Sequence, residues 1–102
     1  MNEQLYKSNF KETFGEVNTP FSLVELMISL FPDNFFFNKN NVWLDPGCGQ
    51  GNISWVLLHK LREQLDTKHI LEDMLYLIEL NPEREKDVYK NFKDFGRPNL
   101  SI

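Results

Sequence analysis

The chain has 102 residues, of which 41% are hydrophobic and 25% charged, the ordinary composition of a globular domain. Its single cysteine excludes an internal disulfide, and its apolar stretches are far shorter than a membrane-spanning helix requires. The net charge of −4 and the lack of a basic block give no support from composition for nucleic-acid binding. A lone cysteine suits a reducing compartment, and we expect a cytoplasmic protein.

The first elements follow a polar N-terminus. Residues 1–13 are predicted to be a flexible segment, and residues 14–102 a folded region. A helix is predicted after Thr19, whose hydroxyl can cap it, with Pro20 in its first turn. Apolar residues at helical spacing make one stripe along this helix: Leu23, Leu26, Met27 and Leu30.

A glycine-rich segment follows the next predicted element. Val42 to Leu44 predict a short buried strand, and Asp45 stands at its end. Three glycines then alternate with other residues, in the order Asp45, Pro46, Gly47, Cys48, Gly49, Gln50, Gly51. Glycine allows the backbone to turn tightly and to approach a ligand without a Cβ in the way. A helix is predicted over Ile53 to Leu65, so the glycines join a strand to a helix.

The glycine spacing distinguishes this loop from two phosphate-binding loops. The dinucleotide fingerprint Gly-x-Gly-x-x-Gly would place its third glycine at Asn52, and no Gly-Lys-Ser/Thr triplet exists in the chain. An acid followed by three alternating glycines is typical of enzymes that bind S-adenosylmethionine. That cofactor carries an ammonium and a sulfonium but no phosphate, which suits the carboxylate of Asp45. The alternative is a glycine-rich turn without a ligand.

The second half of the chain repeats the alternation. Residues 69–75 fit either a helix end or a strand start, and Leu75 to Ile78 predict a second strand. A helix is predicted to begin at Asn81-Pro82. Its buried face would consist of Val88, Phe92 and Phe95, and Gly96 would end it. Asn99 to Ile102 predict the start of a third strand. Strands alternating with helices indicate a parallel sheet, hence an α/β, Rossmann-like fold of which the chain supplies two to three strands.

A second acid ends the second predicted strand. Glu79 is well placed to accept hydrogen bonds from the ribose hydroxyls of a nucleoside bound over the glycine loop. The alternative is an acid that only favours the dipole of the following helix. Cysteine and histidine are nowhere spaced as a metal site requires, and no metal is expected.

Three segments in this order resemble one family. Gly15 to Pro20 match a Gly-Glu/Gln-Val-x-Thr-Pro segment, Asp45 to Gly51 match Asp-Pro-Gly-Cys-Gly-x-Gly, and Glu79 with Asn81-Pro82 matches a second-strand acid and turn. The chain thereby resembles, over about residues 14 to 92, the N-terminal part of adenine-specific DNA methyltransferases of the restriction-modification type. The resemblance implies a class I methyltransferase fold, S-adenosylmethionine as cofactor and DNA as partner.

The resemblance also implies roles for individual residues. The methionine end of the cofactor would be held by Thr19 and Pro20, and the ribose by Glu79, with Leu80 near the adenine ring. Asp45, Gly47 and Gly49 would surround the methionine portion, and Pro46, Cys48 and Gly51 of the same loop are also expected to bind the cofactor. In the family the reaction depends on an Asn/Asp-Pro-Pro-Tyr/Phe segment that orients a flipped adenine, and this segment is absent here. No catalytic residue is therefore assigned.

Three hypotheses follow. The chain is the cofactor-binding portion of a DNA methyltransferase, inactive alone and completed by a continuation or a partner chain. Alternatively, it is a fragment of an enzyme that methylates RNA, protein or a small molecule. As a third possibility, it is a non-catalytic remnant or interaction module.

Overall fold

The computed structural model of the chain describes residues 19–102. The predictions for residues 1–13 and for residues 14–18 lie outside the described residues. Within them, helices and strands alternate, and we number them in chain order: α1 (Phe21–Ser29), β1 (Trp43–Pro46), α2 (Asn52–Leu61), α3 (Thr67–His69), β2 (Leu75–Ile78), α4 (Glu85–Phe92) and β3 (Asn99–Ser101). Three short helical segments join them: 3₁₀ turns at Asp33–Phe35 and Pro82–Arg84, and a π-helix at Ile70–Met74.

The three strands form one parallel sheet in the order β1-β2-β3. The register pairs Asp45 with Leu77, and Leu77 in turn with Leu100. The carboxyl ends of all three strands therefore lie at one edge of the sheet, where ligands bind in open α/β folds. The predicted α/β class is confirmed at this level: a small parallel sheet with flanking helices, compatible with part of a Rossmann-like fold.

Helices cover one face of this sheet. Leu75 and Leu77 are 1% exposed and belong to the same buried cluster as the inward faces of α2 and α4. The cluster residues on those helices are Leu57, Leu58, Leu61, Val88 and Phe92. On the opposite face, Leu44 remains 61% exposed and its register partner Tyr76 37% exposed. Parallel sheets are normally covered on both faces, so the described residues form two layers of an arrangement that usually has three.

The apolar stripe of α1 is not in the core. Such stripes normally face the core of a globular protein. Here its four members are all exposed, between 46% and 75%, and Val24 is the one fully buried residue of the helix. Helix α1 packs on α2, and the residue that it buries is Val24, so the stripe lies outside the buried part of the helix.

The start of α1 also differs from the prediction that Thr19 caps it. Pro20, with φ −59° and ψ 144°, occupies the N-cap position, and no side chain caps the helix. An N-cap residue is extended and directly precedes the first helical residue, so Thr19 lies one position too early. Its carbonyl instead accepts a hydrogen bond from Asn52 Nδ2 at 3.0 Å, which ties this segment to the start of α2.

The remaining predictions differ from the structure mainly at element ends. Strand β1 extends through Asp45 and Pro46 rather than ending at Leu44, and α2 ends at Leu61 rather than Leu65. The ambiguous stretch before β2 is largely helical. The cap at Asn81 is confirmed, since its side chain accepts from the Glu83 amide.

Candidate functional site

The glycine loop between β1 and α2 has a backbone shape that few other residues adopt. Gly47, Gly49 and Gly51 have φ values of 67°, 58° and 87°. A Cβ added at Gly47 would meet nothing within 4 Å, whereas one added at Gly51 would lie 3.0 Å from the ring of Phe92. Gly51 thus allows close packing of the loop on the core. Gly47 leaves open space above the loop, at the edge where ligands of such folds bind.

Backbone hydrogen bonds join this loop to the ends of the neighbouring strands. The Cys48 amide donates to the carbonyl of Ile78 at 2.8 Å, and the Gly51 amide donates to the carbonyl of Cys48 at 2.8 Å. On the other side of β2, the Glu79 amide donates to the carbonyl of Ser101 at 3.0 Å. The three strand ends therefore form one connected surface.

Asp45 is directed at the beginning of α2. Its Oδ2 accepts a hydrogen bond of 2.6 Å from the hydroxyl of Ser54, the third residue of the helix. Burial raises the pKa of Asp45 above its usual value; the hydrogen bonds from Ser54 oppose this, and the charge of Glu79 adds to it. Asp45 lies near the end of β1 and Glu79 directly follows β2, so the two acids stand at adjacent strand ends. Sequence reasoning missed Ser54, although a hydroxyl in the first turn of this helix was a usable signal.

Glu79 joins the glycine loop to the turn after β2. Its Oε1 accepts from the Gly49 amide at 2.7 Å and its Oε2 from the Asn81 amide at 2.8 Å. The residue is 6% exposed, so both bonds are well shielded from water. Each carboxylate oxygen accepts more than one hydrogen bond, so capacity remains for further donors such as hydroxyls. The two backbone contacts are a structural role that the sequence did not indicate.

The other predicted site residues lie around the same edge. The carbonyl of Thr19, directly before Pro20, accepts the hydrogen bond from Asn52 at the start of α2, and Leu80 is 89% exposed next to Glu79. Pro46 is exposed, whereas Cys48 is buried with 8% exposure, so its thiol is a packing group of the loop. The structure thus gathers the predicted residues at one edge of the sheet.

Residues 19–102 show neither a metal-binding cluster nor a membrane-spanning helix. No group of three or more histidine, cysteine, aspartate or glutamate side chains that could hold a metal ion occurs among them. None of their helices is both long and apolar enough to cross a membrane. In comparisons with known proteins, no family model matches this chain, and neither a curated protein nor a solved structure does.

The raised pKa of Asp45 predicts that this carboxylate costs stability. A folded-state pKa above the usual 3.8 means that the folded protein holds the proton more tightly than the unfolded chain. The stability that the protonated Asp45 carboxyl contributes is complete below pH 3.8 and is lost as the pH rises through the folded-state pKa. We therefore expect Asp45→Asn to melt higher than the wild type at pH 7, with the difference shrinking near pH 3. Thermal melts at both pH values measure this, and a lower melting temperature of the variant at pH 7 would contradict it.

Proposed function

We propose that this chain binds S-adenosylmethionine and is the cofactor-binding portion of an adenine-specific DNA methyltransferase. The observation that carries the proposal is the pair of carboxylates, Asp45 and Glu79, at adjacent strand ends beside a glycine loop with open space above Gly47. Such a surface suits a ligand with cationic groups and ribose hydroxyls.

The start of α2 supports this cofactor over a dinucleotide. In dinucleotide-binding folds the pyrophosphate rests on the N-terminus of the helix that follows the first strand. Here Ser54 in the first turn of α2 is hydrogen-bonded to Asp45, and residues 45–51 contain no lysine or arginine. A phosphate placed there would meet a carboxylate without a compensating cation. The electrostatics therefore favour a ligand that has no phosphate.

Each of the predicted residues can be assigned to one part of such a cofactor. Asp45 would face the ammonium and sulfonium end, the backbone at Gly47 and Gly49 would approach the methionine portion, and Glu79 would accept from the ribose hydroxyls. Leu80 offers an exposed apolar surface for the adenine ring. The bound cofactor would supply the methyl group.

The DNA-directed part of the proposal rests on the resemblance in sequence. The Gly15 to Pro20 segment points to methyltransferases of DNA amino groups, and we propose the N6 of adenine as the acceptor and the cytoplasm as the location. Because the 102 residues lack the Asn-Pro-Pro-Tyr type of segment, we expect no methyl transfer by this chain alone. Further polypeptide would have to position the flipped base and supply the DNA contacts.

Isothermal titration calorimetry tests whether the chain binds this type of cofactor. We expect the chain, shown to be folded by circular dichroism, to bind S-adenosylhomocysteine and not NAD⁺. An Asp73→Ala variant serves as a control, because this carboxylate is exposed on the segment before β2 and far in sequence from the loop. Binding of NAD⁺ in preference to S-adenosylhomocysteine, or no heat from either compound with folded protein, would refute the proposal.

A further inference from the structure

The hydroxyl of Ser54 is a buried polar group on α2. Ser54 is 0% exposed, and the buried residues that follow it on the helix are all apolar: Val56, Leu57, Leu58 and Leu61. A hydroxyl in such surroundings costs stability unless it is hydrogen-bonded. Ser54 Oγ meets this requirement by donating to Asp45 Oδ2 at 2.6 Å.

The direction of this hydrogen bond distinguishes it from helix capping. A capping hydroxyl accepts from a backbone amide at the helix start, and a serine inside a helix commonly donates to a carbonyl of the previous turn. The Ser54 hydroxyl instead donates to a carboxylate on β1. The N-cap of α2 is Gly51, and no side chain caps the helix there. The hydroxyl of Ser54 therefore acts on Asp45 and not on the end of its own helix.

The two carboxylates at the strand ends are held by different kinds of group. The two oxygens of Glu79 accept from backbone amides, those of Gly49 and Asn81. Asp45 is held by the side chain of Ser54. A substitution at Ser54 can therefore release Asp45 while the contacts of Glu79 stay in place.

The charge of Asp45 has no cationic partner among residues 19–102, where neither Asp45 nor Glu79 belongs to an ion pair. Burial raises the pKa of Asp45, and the charge of Glu79, directly after β2, adds to this; the hydroxyl and the backbone amide of Ser54, on α2, lower it. Loss of the hydroxyl would raise the pKa of Asp45 further. The carboxylate would then be less available to a cationic group at a given pH.

We propose that Ser54 is a positioning residue of the ligand site, whose hydroxyl fixes the carboxylate of Asp45 for the ammonium group of the cofactor without touching the cofactor itself. The inference rests on the proposed function, which assigns that ammonium to Asp45. It adds a residue from α2 to a site otherwise built from the strand ends and the loop.

Calorimetry of Ser54→Ala with two ligands tests this role. We expect S-adenosylhomocysteine to bind about tenfold more weakly than to the wild type, the size of effect expected for loss of a hydrogen bond to a charged group. The affinity for 5′-methylthioadenosine, which keeps the nucleoside and the sulfur but has no ammonium, should not change. Ser29→Ala removes an exposed hydroxyl from α1 and is the matched control, which should bind both ligands as the wild type does.

Two further measurements show whether Ser54 acts through Asp45. In an Asp45→Asn background, Ser54→Ala should not weaken S-adenosylhomocysteine binding further, because the carboxylate that it positions is gone. In the Asp45 background, the loss caused by Ser54→Ala should grow as the pH is lowered from 8 to 5. The reason is that the carboxyl of the variant takes up its proton at a higher pH than that of the wild type.

The outcomes separate this inference from the proposed function. Folded wild-type protein that does not bind S-adenosylhomocysteine refutes both. Wild-type binding with an unchanged affinity of Ser54→Ala overturns the inference alone. An equal loss with 5′-methylthioadenosine, or an equal loss in the Asp45→Asn background, also overturns it, since either shows that Ser54 only supports the fold. Alanine is smaller than serine and a better helix former, so Ser54→Ala is expected to fold, which circular dichroism verifies.

Discussion

Replacing Glu79 with alanine should weaken S-adenosylhomocysteine binding by roughly 1.5–3 kcal/mol, the range for hydrogen bonds to a charged group. It should also lower the free energy of unfolding by about 1–3 kcal/mol, because the amides of Gly49 and Asn81 lose their acceptor in a shielded position. Calorimetry measures the first effect, and urea denaturation of the ligand-free chain measures the second.

A second substitution separates the two roles of this carboxylate. Glu79→Gln keeps one acceptor oxygen and the side-chain volume, so it should recover part of the stability while recovering less of the affinity. Glu72→Ala is the matched control, because it removes an exposed acid from the segment before β2. It should change neither the free energy of unfolding nor the affinity for S-adenosylhomocysteine. If Glu79→Ala lowers stability but leaves the affinity for S-adenosylhomocysteine unchanged, Glu79 only stabilises the glycine loop and the turn after β2 and does not bind the ligand.

The second large effect is expected at Gly51. An alanine there must adopt a φ of 87°, which costs about 1–2 kcal/mol for a residue with a Cβ. The same Cβ would lie 3.0 Å from the Phe92 ring and 3.5 Å from Leu77, and overpacking of a core costs about 1–3 kcal/mol. Because Phe92 is fully buried, it has little room to move. We expect Gly51→Ala to lower the free energy of unfolding by about 2–4 kcal/mol in urea denaturation.

Gly47 provides the matched comparison. Its φ of 67° imposes the same kind of backbone cost, but a Cβ would meet no protein atom within 4 Å. Gly47→Ala should therefore cost only about 1–2 kcal/mol of stability. Its methyl group would stand in the space assigned to the ligand, so it should reduce S-adenosylhomocysteine binding more than it reduces stability. Equal loss of stability in both variants would show that contact with Phe92 is not what restricts Gly51.

Local patterns in the sequence predicted most of the fold. The strand before Asp45, the alternating glycines and the second strand from Leu75 to Ile78 all depend on neighbouring residues, and the structure contains each of them. The alternation of strands and helices also predicted that Asp45 and Glu79 lie at the same edge of the sheet. Parallel connections place all strand carboxyl ends together, whatever the side chains are.

The remaining features depend on contacts distant in the chain. Hydrophobic spacing identified the α1 stripe but not whether a second layer exists for it to cover. The bond from the Gly49 amide to Glu79 spans thirty positions, and that from Asn52 to Thr19 spans thirty-three. Neither residue type indicates such a partner, because a buried carboxylate accepts from any amide that the fold brings near it. Only the assembled sheet determines which one.

The backbone hydrogen bonds between the strand ends have a consequence for how the sequence of this protein can change in evolution. Main-chain atoms alone make the bonds from Cys48 to Ile78 and from Glu79 to Ser101. Replacement of the side chains at Cys48, Ile78 or Ser101 therefore leaves these bonds available. The backbone shape of this edge of the sheet can therefore persist while its side chains change, and a descendant with a different acid or apolar residue there would keep the same backbone arrangement.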